Sequence, residues 1–360
     1  MQKKPSKTKD ISRLIRPEVR KLAAYHIDET PTRIKLDAME NPFSMPDDVK
    51  QRIAEAAKNA AVNRYPDPSA KKLKQAIAGM WGMEPAQMVL GNGSDELIQA
   101  VVLAFGGPVL IPTPTFAMYE ITSRALGQNV VTVPLNRDFS LDADKLINKA
   151  KQVKAKVIFL ACPNNPTGNR FSDDAIMRIL EKTNAAVVID EAYFSFSGKT
   201  YLRRLKDHPN MIIFRTLSKI GLAGLRIGVL SAAPGVIAEM NKIRLPYNIS
   251  VLSQAAASVV LERWDVLYEQ ISLLISERER LYNTLARMQG ITAYPTETNF
   301  ILFRTDKDAT RVYTKLKQAG ILIKNLSRPG PLKNCLRVTV GTPIENNEFA
   351  AALRKLAAAS

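Results

Sequence analysis

Four short, unbroken apolar runs rich in valine and isoleucine set what this chain can fold into: VIFLA (157–161), AVVID (186–190), MIIF (211–214) and IGVLSA (227–232). A strand with one face in water alternates apolar and polar residues. Runs without that alternation belong to strands covered on both faces. Helical patterns lie between them, such as Asp173 to Thr183. Strand, helix and strand in that order require crossover connections and a mostly parallel sheet. The predicted class is α/β, with that sheet flanked by helices.

The texture changes from about Leu261. LERWDVLYEQISLLISERERLYNTLARM carries apolar residues at helical spacing and stops at Gly290. Then come a strand-like NFILFR (299–304), a helix TRVYTKLKQAG ending at Gly320, a strand ILIKN and a strand LRVTVGT (336–342). This layout is α+β and predicts a second, smaller domain. The expected organisation is a disordered basic tail (1–10), an arm joining the small domain (11–45), a large domain (46–262) and a small one (263–360).

At 360 residues the chain is long enough for two such domains. Its two cysteines, Cys162 and Cys335, encode no disulfide framework, and two histidines are too few for a zinc or iron site. No metal is expected. The net charge of +17 favours anionic ligands, yet the lysines are scattered, as in Lys149, Lys151, Lys154 and Lys156. Nucleic-acid binding wants a concentrated basic face with aromatics, so no nucleic-acid partner is expected. No apolar stretch matches a membrane span, and the basic start MQKKPSKTKD lacks the apolar core of a signal peptide. The expectation is a cytoplasmic protein acting on small molecules.

Four motifs fall at strand-to-loop junctions. GNGSDELI places the backbone N–H groups of Gly93, Ser94 and Asp95 at a helix N-terminus, where phosphate is stabilised; equally it is a plain helix capped by Ser94 or Asp95. CPNNPTG (162–168) follows a strand, and Asn165 offers an amide from the edge where α/β folds bind ligands. In VVIDEAY (187–193), Asp190 ends an apolar strand, and a buried carboxylate needs a cation or several donors. A salt bridge satisfies it, and so does a protonated pyridine nitrogen. RTLSKIGLAGLRIG (215–228) sets Lys219 between a buried strand and an apolar segment, an environment that lowers lysine basicity and favours reaction with an aldehyde. Arg226 in the same stretch has the planar fork that pairs with phosphate. Together these supply a nucleophilic amine, a carboxylate for a pyridine nitrogen, a phosphate cradle and hydrogen-bond donors.

With these residues in view, the chain resembles the fold-type I pyridoxal-phosphate aminotransferases, and more narrowly the histidinol-phosphate aminotransferase group. The resemblance runs from about Ile11 to the C-terminus through IRPEVRKLAAYHID, LDAMENPF, NRYPDPSAKKLKQAIA, GNGSDELI, PTPTFAMYE, CPNNPTG, VVIDEAY, RTLSKIGLAGLRIG, PYNIS, ETNFILFR and NCLRVTVGTP. The lysine segment and the NPTG loop are shared across many aminotransferases; AMENPF, NRYPDP and CLRVTVGTP point to the narrower group.

That resemblance implies pyridoxal 5'-phosphate held as a Schiff base by Lys219, which also moves the proton of the substrate α-carbon. It implies Asp190 on the pyridine nitrogen and Asn165 and Tyr193 on the phenolic oxygen. Gly93, Ser94, Asp95, Ser218, Arg226 and Thr216 match phosphate-contacting positions, and Phe116 an aromatic that stacks on the ring. Tyr65 matches a tyrosine reaching over from a neighbouring subunit, which implies a homodimer with shared sites. Arg337 matches the arginine for the donor's α-carboxylate; Tyr25, Asn41 and Lys324 fall on the substrate side. The implied reaction is L-histidinol phosphate with 2-oxoglutarate to imidazole-acetol phosphate and L-glutamate, in histidine biosynthesis. Lys324 stands where an arginine is frequent, Phe116 where a tyrosine is common, and the Lys219–Arg226 segment is one residue shorter than in many relatives. An aromatic-amino-acid aminotransferase, a phosphothreonine decarboxylase and an aminotransferase-like regulatory domain are the competing readings.

Overall fold

A computed structural model describes residues 10–24 and 28–358. The expected tail up to residue 9, and Tyr25, lie outside the described residues.

Seven strands form the main sheet, in the order Met88–Asn92, Ile227–Ala232, Met211–Thr216, Ala186–Asp190, Val157–Ala161, Val109–Thr113, Val130–Pro134. The last five run parallel, whereas Ile227–Ala232 runs against both its neighbours. The unbroken apolar runs have the predicted cause. Ile158, Leu160, Val187, Ile189 and Ile213 pack into one core, while Val157, Phe159, Val188, Ile212 and Phe214 face the core on the other side.

From Val109–Thr113 the chain builds outward to Val130–Pro134, then returns to build the other way from Val157–Ala161. The reversal opens a crevice at the carboxyl ends of Val109–Thr113 and Val157–Ala161, the place where open α/β sheets take ligands. Phe116 and Asn165 lie on the two loops that leave those strands.

A four-stranded antiparallel sheet follows in the order Lys324–Asn325, Cys335–Thr339, Phe300–Thr305, Ile291–Ala293. The helix Trp264–Ala286 bridges the two regions. Its Leu267, Ile271 and Leu274 pack with Leu217 and Ile220, and its Leu281 and Leu285 pack with Ile301 and Phe303. The segment LERW, read as the start of this helix, instead spans the break after Val251–Leu261.

ILIKN, expected as one strand, is two. Ile321–Leu322 pairs in parallel with Ile34–Lys35, and Lys324–Asn325 pairs with Arg337 and Leu336 in the antiparallel sheet. Ile321, Leu322 and Ile323 are all buried, so no change of periodicity marks the switch of partner. The contact with Ile34 carries the following segment into place. Thr339 donates its backbone N–H to Leu36, and Asn299 donates its amide to the Met39 carbonyl, which sets Ala38, Met39 and Glu40 beside the crevice.

Candidate active site

The crevice holds a cavity of about 230 Å3 lined by Ser94, Asp95, Phe116, Asn165, Asp190, Tyr193, Thr216, Ser218, Lys219 and Arg226, all predicted from sequence. Each comes from a junction. Asp190 and Thr216 are the last residues of their strands, and Lys219 lies on the short 3-10 turn Ser218–Ile220. Arg226 directly precedes Ile227–Ala232.

Asp190 is buried, with 5% exposure. Its Oδ1 accepts the Ala192 backbone N–H at 3.0 Å and its Oδ2 accepts the Tyr119 hydroxyl at 2.6 Å. Burial pushes its carboxyl up to about 6, opposed by the Tyr119 bond, the Ala192 N–H and the charge of Lys219. The Lys219 ammonium is pushed the other way, down to about 8, first by burial and then by the nearby Arg337 guanidinium. Both groups are therefore poised within reach of neutral pH, as reactive groups need to be.

The helix Ser94–Phe105 is capped by Gly93 rather than by Ser94 or Asp95, and no side chain bonds to its first turn as a cap. Gly93 has φ +80°, open to glycine at little cost. A Cβ there would run into the Arg226 guanidinium, whose Cζ would lie 3.0 Å away. A Cβ on Gly228 would meet the backbone carbon of Gly93 and nitrogen of Ser94 at 2.7 Å. Thus the helix start, Arg226 and the strand bearing Gly228 approach as closely as bare backbone allows. Arg226 pairs with Asp95 at 3.3 Å, and the Thr216 hydroxyl donates to Ser218 at 2.9 Å. Backbone N–H groups at a helix N-terminus, two hydroxyls and an arginine make a cradle for a phosphate.

Asn165 is the hinge of the opposite wall. Its Nδ2 lies 3.3 Å from the Tyr193 hydroxyl, and its Oδ1 accepts from Arg337 Nη1 at 2.6 Å. Arg337 does not line the cavity itself; it reaches the site through Asn165. Lys324 sits opposite Arg337 in the strand pair and outside the lining. The Asn41 carboxamide donates to Gln270 and to the Ile220 carbonyl, beside the lysine turn but also outside the lining. Tyr65 is 81% exposed and stacks on Tyr247 at 4.4 Å, away from this chain's cavity.

Sequence reasoning did not single out Tyr119 or Glu40. Tyr119 lies three residues after Phe116, one helical turn on, a spacing that would have marked it as a neighbour of the same wall. Cys162 is buried and its thiol is pushed up to about 12, so it is inert as a nucleophile. Among the described residues no helix is long and apolar enough to cross a membrane.

The sequence profile described as aminotransferase class I and II matches residues 31–353. The chain is 45% identical over 354 residues to histidinol-phosphate aminotransferase 2 of Nitrosococcus oceani, covering 96% of this chain and 98% of that protein. It is 41% identical to the histidinol-phosphate aminotransferase of Aquifex aeolicus, covering 95% and 98%. Its fold matches the crystal structure of histidinol-phosphate aminotransferase from Sinorhizobium meliloti in complex with pyridoxal-5'-phosphate, with TM-score 0.86, 28% identity and coverage of 95% and 97%. A half-buried lysine and a buried carboxylate lining one cavity, and relatives this similar along their whole length, lead to one assignment: the chain belongs to the class I and II aminotransferase family, among the histidinol-phosphate aminotransferases.

Proposed function

We propose that this protein transfers the amino group of L-histidinol phosphate to 2-oxoglutarate, yielding imidazole-acetol phosphate and L-glutamate, as a step of histidine biosynthesis. The observation that carries this reading is the meeting of Lys219, Asp190 and the Gly93–Arg226 cradle around one cavity, in a chain 45% identical to a protein of that name. The cavity fits pyridoxal 5'-phosphate. The bare backbone at Gly93 and Gly228 lets Arg226 and the start of the helix close together, which gathers donors for a phosphate, and a buried carboxylate waits for a cation. Bound there, pyridoxal phosphate supplies the aldehyde and the electron-withdrawing ring on which amino transfer depends.

The chain's own residues do the rest. Lys219 Nζ, its basicity lowered by burial, holds the aldehyde and carries the proton of the substrate α-carbon. Asp190 holds the proton on the pyridine nitrogen. Asn165 Nδ2 and Tyr193 Oη lie 3.3 Å apart, and the two together would bond the phenolic oxygen. Phe116 covers a ring face; Ser94, Asp95, Thr216, Ser218 and Arg226 take the phosphate. Arg337 would bind the α-carboxylate, with Lys324 and Asn41 on the substrate side. The high net positive charge of +17 suits two anionic substrates.

The reading extends to a homodimer in which Tyr65 of each copy completes the other's site. Its support is that Tyr65, stacked on Tyr247, is exposed, and that Val62, Leu245 and Leu252, close to the pair along the chain, are exposed apolar side chains as well. It also divides the chain into the large and small domains at 262/263, supported by the change from the parallel to the antiparallel sheet. Steady-state rates of the purified protein with histidinol phosphate and with phenylalanine, each against 2-oxoglutarate, test the substrate. Preference for histidinol phosphate is expected; equal or greater kcat/KM with phenylalanine overturns it.

A further inference from the structure

Tyr119 is wholly buried and has no part in the chemistry described so far. Its ring stacks on Phe159 at 4.7 Å, with 7° between the planes, and meets Phe116 edge-on at 5.5 Å. Its backbone carbonyl accepts the Ser123 hydroxyl at 2.6 Å. So held, its hydroxyl has one place to point, and it donates to Asp190 Oδ2 at 2.6 Å.

We propose that Tyr119 is a positioning residue, whose buried hydroxyl aims the Asp190 carboxylate into the cavity and keeps it ionised against a pyridine nitrogen. This rests on the pyridoxal-phosphate reading of the cavity but not on which amine is transferred. A buried carboxylate is costly unless donors hold it, and a neutral Asp190 cannot keep the ring nitrogen protonated. The backbone N–H of Ala192 satisfies one oxygen, and Tyr119 satisfies the other. The other ionisable groups facing this pair are Lys219, which favours the carboxylate, and Asp95, which opposes it, with Tyr193 next to the phenol. Burial and the Asp190 charge push the Tyr119 phenol well above its ordinary range, so it remains a donor throughout the working pH. The edge-on contact with Phe116 ties this donor to the ring proposed to cover the cofactor face.

The test begins with the cofactor-free protein. A carboxyl raised to about 6 contributes stability that is present below about 4, the unfolded value, and is lost as pH rises through about 6. In Tyr119→Phe, which keeps the ring and removes the donor, that loss is expected to run about one pH unit further. In Asp190→Asn it is expected to vanish. Fluorotyrosine at 119, a stronger donor in the same frame, is expected to move the window down, and it serves alone if the phenylalanine variant does not fold. A pH profile unchanged by these substitutions overturns the proposal.

In the loaded enzyme, Tyr119→Phe is expected to lower kcat about tenfold with KM for glutamate unchanged. The difference should disappear when pyridoxal phosphate is replaced by an analogue with carbon in place of the ring nitrogen. An equal deficit with both cofactors signifies mere packing and overturns the proposal. Should the cavity not take up pyridoxal phosphate at all, no visible absorbance develops, and the cofactor-free profiles still decide whether Tyr119 governs Asp190.

Discussion

Arg337 Nη1 donates to Asn165 Oδ1 at 2.6 Å, tying the antiparallel sheet to the loop that leaves Val157–Ala161. The same guanidinium donates to the Asp37 carbonyl at 2.9 Å, so one side chain fixes three segments around the site. Arg337→Ala should reduce kcat/KM for glutamate by about 100-fold, chiefly through KM, as expected for a lost charge-assisted contact. Bound-cofactor absorbance should survive. Steady-state kinetics and a visible spectrum check both halves.

Lys219 predicts a pH dependence for cofactor capture. An amine reacts with an aldehyde only when neutral, and burial with the Arg337 charge lowers this lysine to about 8. The rate at which the cofactor-free protein captures pyridoxal phosphate should rise from pH 6 and level off above about 8. Arg337→Ala removes one of the causes, so its profile should shift to higher pH. The native state also binds fewer protons than the unfolded chain between about 8 and 10.5, so stability from this group rises with pH across that window. Stopped-flow absorbance and thermal unfolding measure the two effects.

The cradle should not tolerate side chains. Gly93→Ala places a Cβ in the guanidinium of Arg226 and forces a left-handed φ on an alanine, a strain of about 1–2 kcal/mol. Gly228→Ala presses on the backbone of Gly93 and Ser94, which has no rotamer to yield. Titration with pyridoxal phosphate should show weaker binding for both. Gly224→Ala, with open space around it, serves as the control.

Behind Asp190 lies a buried ion pair. Arg215 and Glu191 meet at 3.0 Å, and the guanidinium lies 3.8 Å from the centre of the Phe194 ring and 5.2 Å from that of Trp81. Arg215→Met alone should cost about 3–5 kcal/mol by stranding the carboxylate. The double variant with Glu191→Gln should recover much of it. Chemical unfolding of both proteins gives the comparison.

Of the parallel strands, Val157–Ala161, Ala186–Asp190 and Met211–Thr216 were legible because burial on both faces leaves an unbroken apolar signature; Val109–Thr113 and Val130–Pro134, broken by proline and threonine, were not singled out. Lys219 and Asn165 follow such strands and Asp190 ends one, so position marked them as candidates, while the resemblance gave their roles. The split of ILIKN was not legible, because its first partner lies at Ile34, far away along the chain. Tyr119 was missed because a tyrosine on the inward face of an amphipathic helix reads as core until its hydroxyl is seen on Asp190. That Gly93 caps its helix, in place of Ser94 or Asp95, depends on the close passage of Arg226 and Gly228, which no local pattern announces.

The most direct measurement is chemical. Borohydride reduction of the protein loaded with pyridoxal phosphate, followed by peptide mass mapping, should place the pyridoxyl group on Lys219 and leave Lys219→Ala unlabelled. A stoichiometric adduct on any other lysine, or undiminished labelling of Lys219→Ala, contradicts the assignment.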